Sequence, residues 1–434
     1  MVQAGDCTES IEMPSSVDIY FALKPLYITS RLVGLAPFAF GKSHRSSTAS
    51  KCLRIGYNFL VLSMILLGFV AAVLYDICYK YVKQSSSLII PLLGQLSSLF
   101  GGAMIALIVC HRGTLQRVCE KLYLIDQVLP RSSDANKWTN VAIILETIVV
   151  FSALAAMHAV DSSGHRVSVV SVVQLASIIL ASFINMTIVL EFVNIVSIIQ
   201  NRFLKLNDNL SSMVYKGFVE EELEEYMLKT NSGRKSNESC LHRAPHIISA
   251  SLSRHSPHYK NKTFNYDPMK LHSLRLIHSL LHELRCLVNS HFGLQLLFEM
   301  FHSFITLIMS LYIAMAAKTD PHIVDCDVSS SCTRVITNFC LAAICIFKFI
   351  IITTSCYRAS DEINRTPEIL QKLLLPRPIE AEAFTELELF YQRLSGNDCI
   401  FTANGFFSIN LNLLIQVAAS ATTYLVILIQ MNGE

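Results

Sequence analysis

Few residues in this chain are placed to do chemistry. His278 and His282 stand four apart on a helical repeat, the spacing that lets two imidazoles share one metal ion. No third ligand follows at a fixed offset, and paired histidines on a helix surface are common. The chain contains no G-x-S-x-G, no H-E-x-x-H and no phosphate-cradling P-loop, so the motifs of the common hydrolases, metalloproteases and nucleotidases are missing. Thirteen cysteines are scattered without C-x-x-C pairs, and Cys340, Cys345 and Cys356 lie inside apolar runs, as small buried hydrophobes do. These patterns predict a protein that is not an enzyme and uses neither metal nor cofactor.

Four Asp, Glu, Lys or Arg residues fall within apolar stretches long enough to cross a bilayer: Glu146, Glu191, Glu299 and Lys348. A charge there is expensive and is normally paired or hydrated. Glu299 and Lys348 lie at similar depth in consecutive stretches and are predicted to form an intramembrane ion pair. That pair has two readings: a tie between helices, or a direct part in handling a ligand or ion. Glu146 and Glu191, near inner ends, are predicted to sit on hydrated faces.

The last apolar stretch is unusually polar for a helix facing lipid. Asn404, Asn410, Asn412, Gln416, Ser420, Thr422, Thr423, Tyr424 and Gln430 fall within or beside it, with no formal charge from Thr402 to Gln430. Thr423, Ile427 and Gln430 recur at four and then three and share one face. Such a stripe suits a water-filled path with a hydrophobic constriction. It suits equally a helix buried in a bundle.

The elements that must carry these residues follow from composition. With 52% hydrophobic residues, 16% charged and a mean hydropathy of +0.45, the chain lies outside the usual range for a soluble domain. A net charge of +2 gives no reason to expect a nucleic-acid partner. Since roughly 20 apolar residues span a bilayer as helix, seven spans are expected, near 55–75, 88–110, 141–160, 168–198, 290–316, 335–357 and 404–430. The prediction is an all-α, seven-transmembrane helix bundle with long cytoplasmic helical extensions.

Lys and Arg concentrate on one side. Residues 1–54, 111–140, 201–286 and 358–400 hold nearly all of them, and the alternate loops hold only Lys80, Lys83, Arg166, Lys318 and Arg334. Positive charge stays inside, so the N-terminus is predicted cytoplasmic and the C-terminus extracellular. The sequons outside spans, at Asn209, Asn237, Asn261 and Asn364, all fall in the predicted cytoplasmic segments. The organisation expected is a cytoplasmic segment 1–54, helices one to four over 55–200, a cytoplasmic loop 201–289, helices five and six over 290–357, a cytoplasmic segment 358–403, a pore-lining helix 404–430 and an extracellular tail 431–434. Within the loop, 202–229 and 267–290 show helical apolar spacing, whereas 230–266 is too polar to pack and is expected to be disordered. The outer loops carry Asp76, Asp161, Asp320, Asp325 and Asp327, which would concentrate cations, and Cys326 and Cys332, which could bridge in an oxidising exterior.

Thr423-Tyr424-Leu425-Val426-Ile427-Leu428-Ile429-Gln430 resembles the C-terminal signature of the insect gustatory receptors: Thr-Tyr, five hydrophobics, Gln and usually Phe, with Met431 at the last place here. Asn289-Ser290-His291-Phe292-Gly293 and the stretch from Cys356 to Thr366 are similar to the fructose-receptor branch. The resemblance implies a ligand-gated, non-selective cation channel of the plasma membrane, a homotetramer or a hetero-oligomer with related receptors, passing monovalent and divalent cations. Its pore and gate would be formed by Thr423, Tyr424, Ile427, Gln430 and Met431. A sugar, polyol or other small tastant would bind in the outer half of the bundle. Ser310, Tyr312 and Asn338 fall at the branch's polar positions, with His158, Gln174, His302 and Thr306 nearby. The branch has Trp where Leu341 stands, and the single Trp here is Trp138, so the resemblance leaves the sugar unspecified.

Two other classes make different demands. A G-protein-coupled receptor would have an outside N-terminus and D-R-Y and N-P-x-x-Y sequences, none of them read here. A secondary transporter would show related halves with Gly or Pro breaks at matching depths, whereas Pro91 is the one proline within a span.

Overall fold

The computed structural model describes residues 19–32, 48–80, 99–103, 112–129, 141, 144, 145, 148, 152, 169–236, 266–319, 328–374, 379–394 and 400–432. The described residues are helical throughout, apart from short turns and isolated bridges. The named helices are α1 (Ile19–Leu32), α2 (Thr48–Lys80), α3 (Arg112–Val128), α4 (Val169–Ser236), α5 (Pro268–Thr319), α6 (Val328–Leu374), α7 (Ala381–Leu394) and α8 (Asn412–Asn432). Four are long and apolar enough to cross a membrane, within Ala176–Val214, Pro268–Met315, Val335–Leu374 and Asn412–Met431. A shorter apolar stretch, Gly56–Ala71, lies in α2. The second and third expected spans fall mostly outside the described residues, as do Glu146, Trp138, Asp161 and the loop containing Cys326.

The chain divides into two compact units. One comprises Met1–Ile199, Leu280–Ser360 and Ile400–Glu434, the other Gln200–Ser279 and Asp361–Cys399.

In the first unit helices approach closely where side chains are small. A carbon added at Gly68 would lie 2.2 Å from Cβ of Ser177, and one added at Gly101 would lie 2.9 Å from Cβ of Ala181. Apolar burial gives helices little reason to associate in lipid, so contact of this kind and interhelical hydrogen bonds must supply it. The Ser177 hydroxyl donates to the Ile65 carbonyl at 3.3 Å. Glu191 on α4 is buried and accepts a hydrogen bond from Ser30 of α1, so the hydrated face expected for it is not what the fold provides. α1 also packs on α3, whose Leu115, Val118, Leu122 and Ile125 form a buried helical stripe. On the same helix burial, reinforced by the negative charges of Glu191 and Glu120, pushes the Cys119 thiol up to about 12.

In the second unit each helix contributes an apolar stripe to a shared interior. Leu206 and Leu210, Leu271, Leu274 and Ile277, Ile363, Leu370 and Leu373, and Ala383, Leu387 and Phe390 supply one buried stripe from each helix. His278 lies between Phe203 and Phe390, edge-on to the first and tilted to the second, at 5.6 and 5.5 Å between ring centroids. Asn207 is fully satisfied: it donates to the Glu362 carbonyl at 2.7 Å and carboxylate at 2.8 Å, and accepts from Thr366 at 2.8 Å. Asp267 caps α5 by accepting from the Met269 amide at 3.0 Å, with Pro268 as first helical residue.

Two boundaries differ from the sequence expectation. α4 continues past residue 229 to Ser236 before the chain leaves the described residues. The last helix begins at Asn412 rather than 404. Asn404 and Gly405 adopt positive φ of 51° and 80°, which no helix accommodates. They form the tip of a tight turn closed by the bridge between Thr402 and Ser408. Asn410 then caps the helix, its side-chain oxygen accepting from the Leu413 amide at 3.2 Å.

The small-residue contact gives a direct test. Gly68→Val is expected to cost about 1–3 kcal/mol through overpacking, read as a lower unfolding midpoint of the detergent-purified protein. Gly56→Ala, whose added carbon meets nothing within 4 Å, should leave the midpoint unchanged or slightly raised. Equal losses from both would refute the close approach of α2 and α4.

Candidate functional site

α5 carries Gln295, Glu299, His302, Thr306 and Ser310 at steps of four, three, four and four, so all five follow one side of the helix. All are buried. A buried polar column in an apolar helix must find partners inside the protein or hold something polar.

The partners are only partly present. Lys348 of α6 donates to Oε1 of Glu299 at 2.6 Å, with side-chain exposures of 8% and 1%. Ser303 donates to the same oxygen at 3.1 Å. Oε2 of Glu299 and both polar atoms of Gln295 are buried without a hydrogen-bond partner among the described residues. One turn on, Nε2 of His302 lies 3.4 Å from the Thr306 hydroxyl, and its ring lies 5.5 Å from that of Phe100. The Ser310 hydroxyl donates to the Leu307 carbonyl of its own helix at 3.1 Å.

The structure therefore brings Glu299 to Lys348 and His302 to Thr306. Tyr312, Asn338 and Leu341 are half-buried, on α5 and α6. Gln174 belongs to α4, but its side chain, like that of Cys332 on α6, is outside the described residues, and His158 lies outside them altogether. Gln295 belongs to the column yet carries no sequence motif. Only its helical phase relative to Glu299 could have pointed to it.

α8 is placed differently. Within Asn412–Met431 Ala421 is the one buried residue. It packs with Leu307, Ile308, Ala342 and Cys345, flanked by Val417 and Leu428. Tyr424 adds an edge contact with Phe304 at 6.2 Å between centroids. This seam is narrow. Roughly a third of a turn around the helix from it, Gln416, Ser420, Thr423, Ile427 and Gln430 form an exposed stripe, polar except for Ile427. Met431 is exposed beside it. The Thr423 hydroxyl donates to the Ala419 carbonyl at 2.9 Å, which satisfies its proton within the helix and leaves its oxygen lone pairs facing outward.

Three comparisons with known proteins bear on this arrangement. The 7tm Chemosensory receptor family matches residues 23–432. A stretch of 148 residues is 32% identical to Gustatory receptor 68a of Drosophila melanogaster; it covers 33% of this chain and 36% of that receptor's length. The fold is similar to that of the insect olfactory receptor OR5 from Machilis hrabei, with a TM-score of 0.63 at 14% identity over 95% of this chain and all of that one. The same receptor in complex with eugenol gives a TM-score of 0.60, again at 14% identity and with the same coverage of both chains.

The buried pair is testable by itself. Lys348→Met leaves the Glu299 carboxylate uncompensated and is expected to cost about 3–5 kcal/mol, seen as loss of surface protein and a lower unfolding midpoint. Combining it with Glu299→Gln should recover much of that loss. A double variant as impaired as the single one would mean that the two residues do not depend on each other.

Proposed function

The chain belongs to the 7tm Chemosensory receptor family, a family of membrane receptors rather than enzymes, and from that premise we propose that it is a ligand-gated, non-selective cation channel. Its ligand is a sugar, a polyol or a related small tastant. It works in the plasma membrane with its N-terminus cytoplasmic and its C-terminus extracellular, as a homotetramer or together with related receptors.

The observation that carries this reading is the surface of α8. An apolar helix that buries one residue in its own chain needs other surroundings for the rest. Lipid suits Ile415, Leu425 and Ile429, but it offers Gln416, Ser420, Thr423 and Gln430 no hydrogen bonds. Four copies around an axis would enclose that stripe, with water meeting the polar side chains and a ring of Ile427 forming the dry constriction. Gln430 would lie one turn beyond it and Met431 at the rim. Tyr424, turned toward Phe304, would sit behind the pore surface.

The ligand site fits the outer part of the α5 column and the adjoining face of α6: His302, Thr306, Ser310, Tyr312 and Asn338, with Gln174 and His158 as further candidates. Hydroxyl, imidazole and amide groups beside aromatic faces are what a hydroxylated ligand requires. Eugenol is the molecule held by the similar olfactory receptor, and a small ligand with both an apolar body and a hydroxyl would suit the same surroundings. Binding opens the channel to the extent that the ligand prefers the open arrangement.

Expression in cells without added G protein, with current or calcium entry read against a panel of sugars and polyols, tests the assignment. Ligand-evoked current is the expected result, and a response that requires G-protein signalling would overturn it in favour of a G-protein-coupled receptor. Tyr312→Ala is expected to raise the half-maximal ligand concentration about tenfold, equivalent to the loss of roughly one hydrogen bond. Ile427→Ser should admit water to the constriction and raise the current seen without ligand. A well-expressed Ile427→Ser channel that stays closed would refute the pore face.

A further inference from the structure

The turn that precedes α8 is held by α5 through three residues at steps of four. Arg285 donates to the Ile400 carbonyl at 3.1 Å. Asn289 makes two bonds to one residue: its oxygen accepts from the Thr402 amide at 2.9 Å, and its amide donates to the Thr402 hydroxyl at 3.2 Å. That hydroxyl in turn accepts from the Gly405 amide at 3.2 Å. At Gly293 the turn touches the helix backbone, since an added carbon would lie 3.0 Å from N and 3.2 Å from Cα of Asn404. Phe401, Ala403 and Ile409 are buried at the base of the turn, and Phe401 meets Phe192 edge-on at 6.2 Å.

This attachment contrasts with the helix it introduces. Backbone, side-chain and aromatic contacts all hold residues 400–409, whereas among the described residues α8 has only the narrow seam around Ala421. Its N-terminal end is fixed and the remainder is loosely held. Asn289 also lies on the same uninterrupted helix as His302, Thr306 and Ser310, about 20–30 Å from them along its axis.

We propose that Asn289, with Arg285 and Gly293, is the joint through which displacement of α5 sets the tilt of α8, so that this joint fixes the balance between closed and open channel. The proposal rests on the channel reading above. Asn289 is a positioning residue: it touches neither ligand nor ion, and acts by making the turn move with α5. A turn anchored only to keep the chain folded would need the same contacts, but it would not alter gating in molecules that fold. Gating, measured per molecule at the surface, therefore separates the two roles.

The test uses the full-length receptor with Asn289→Ala, Thr402→Val and the double variant. Thr402→Val keeps the backbone amide bond and removes only the hydroxyl that Asn289 and Gly405 share. Fructose, sucrose and sorbitol are applied in turn, and surface protein is quantified in parallel. Expected is a change of at least threefold in the ratio of ligand-free to maximal current, or in the half-maximal concentration. The double variant should go no further than Asn289→Ala, because both changes cut the same link. Currents that fall only in proportion to surface protein, with ratio and half-maximal concentration unchanged, would overturn the joint.

A second measurement does not depend on conduction. In the detergent-purified receptor carrying Ile427→Cys, maleimide labelling at that position should change at least threefold when Asn289→Ala is added, and an unchanged rate counts against the joint. If the wild-type receptor conducts with none of the three probes, those compounds fail as its ligands, and the labelling rates still decide whether Asn289 controls α8. Should Asn289→Ala not reach the surface, Thr402→Val alone carries both measurements.

Discussion

Hydrocarbon offers a polar group no partner, and that constraint governs the membrane unit more than any attraction between side chains does. Hydroxyls along the spans turn back on their own helices: Ser182 to the Ile178 carbonyl, Thr187 to Phe183, Thr353 to Phe349, Thr422 to Ala418 and Thr423 to Ala419. Where the backbone cannot absorb a polar group, another helix must. Glu191 takes the Ser30 hydroxyl, and Glu299 takes both Lys348 and Ser303. Apolar side chains, indifferent between lipid and protein, leave the helices to meet at Gly68, Ser177, Gly101 and Ala181, where backbones can come close.

The second unit is packed differently: stripes of Leu, Ile and Phe fill its interior, and polar residues work at the margins. Arg275 and His272 share the Glu386 carboxylate at 3.1 and 3.5 Å, and Arg393 donates to Ser279 at 2.7 Å. Asn207 is the exception, a buried amide whose three bonds tie α4 to α6. Satisfied fully, such a group favours one packing over its near neighbours.

What could be read beforehand follows the same division. The helical class is written in apolar runs and their period, and the closeness of Glu299 to Lys348 follows from equal depth in consecutive runs. The repeat of Leu271, Leu274 and Ile277 names a buried face directly, and the structure buries all three. The start of the last helix escaped, because Phe406, Phe407, Ile409 and Leu411 continue the apolar run and the turn depends on two backbone angles at Asn404 and Gly405. Glu191 escaped because its partner lies 161 positions away on α1, a separation no local pattern reports. The grip of Asn289 on Thr402 is similarly remote in sequence. The residues proposed for the ligand are the least legible, since a polar column on α5 is equally the mark of a satisfied core and of a pocket.

The short turn before α8 also has a consequence for helical phase. With the Asn410 cap holding the start of that helix at Asn412, every later side chain is aimed by counting from a fixed origin. Inserting or deleting one residue between Asn410 and Ala421 would turn everything beyond it by about 100° relative to that origin. The seam around Ala421 would then meet a different set of side chains. Length is therefore constrained more tightly than composition in that first part of the helix, whereas the exposed Phe406 in the turn should accept substitution freely.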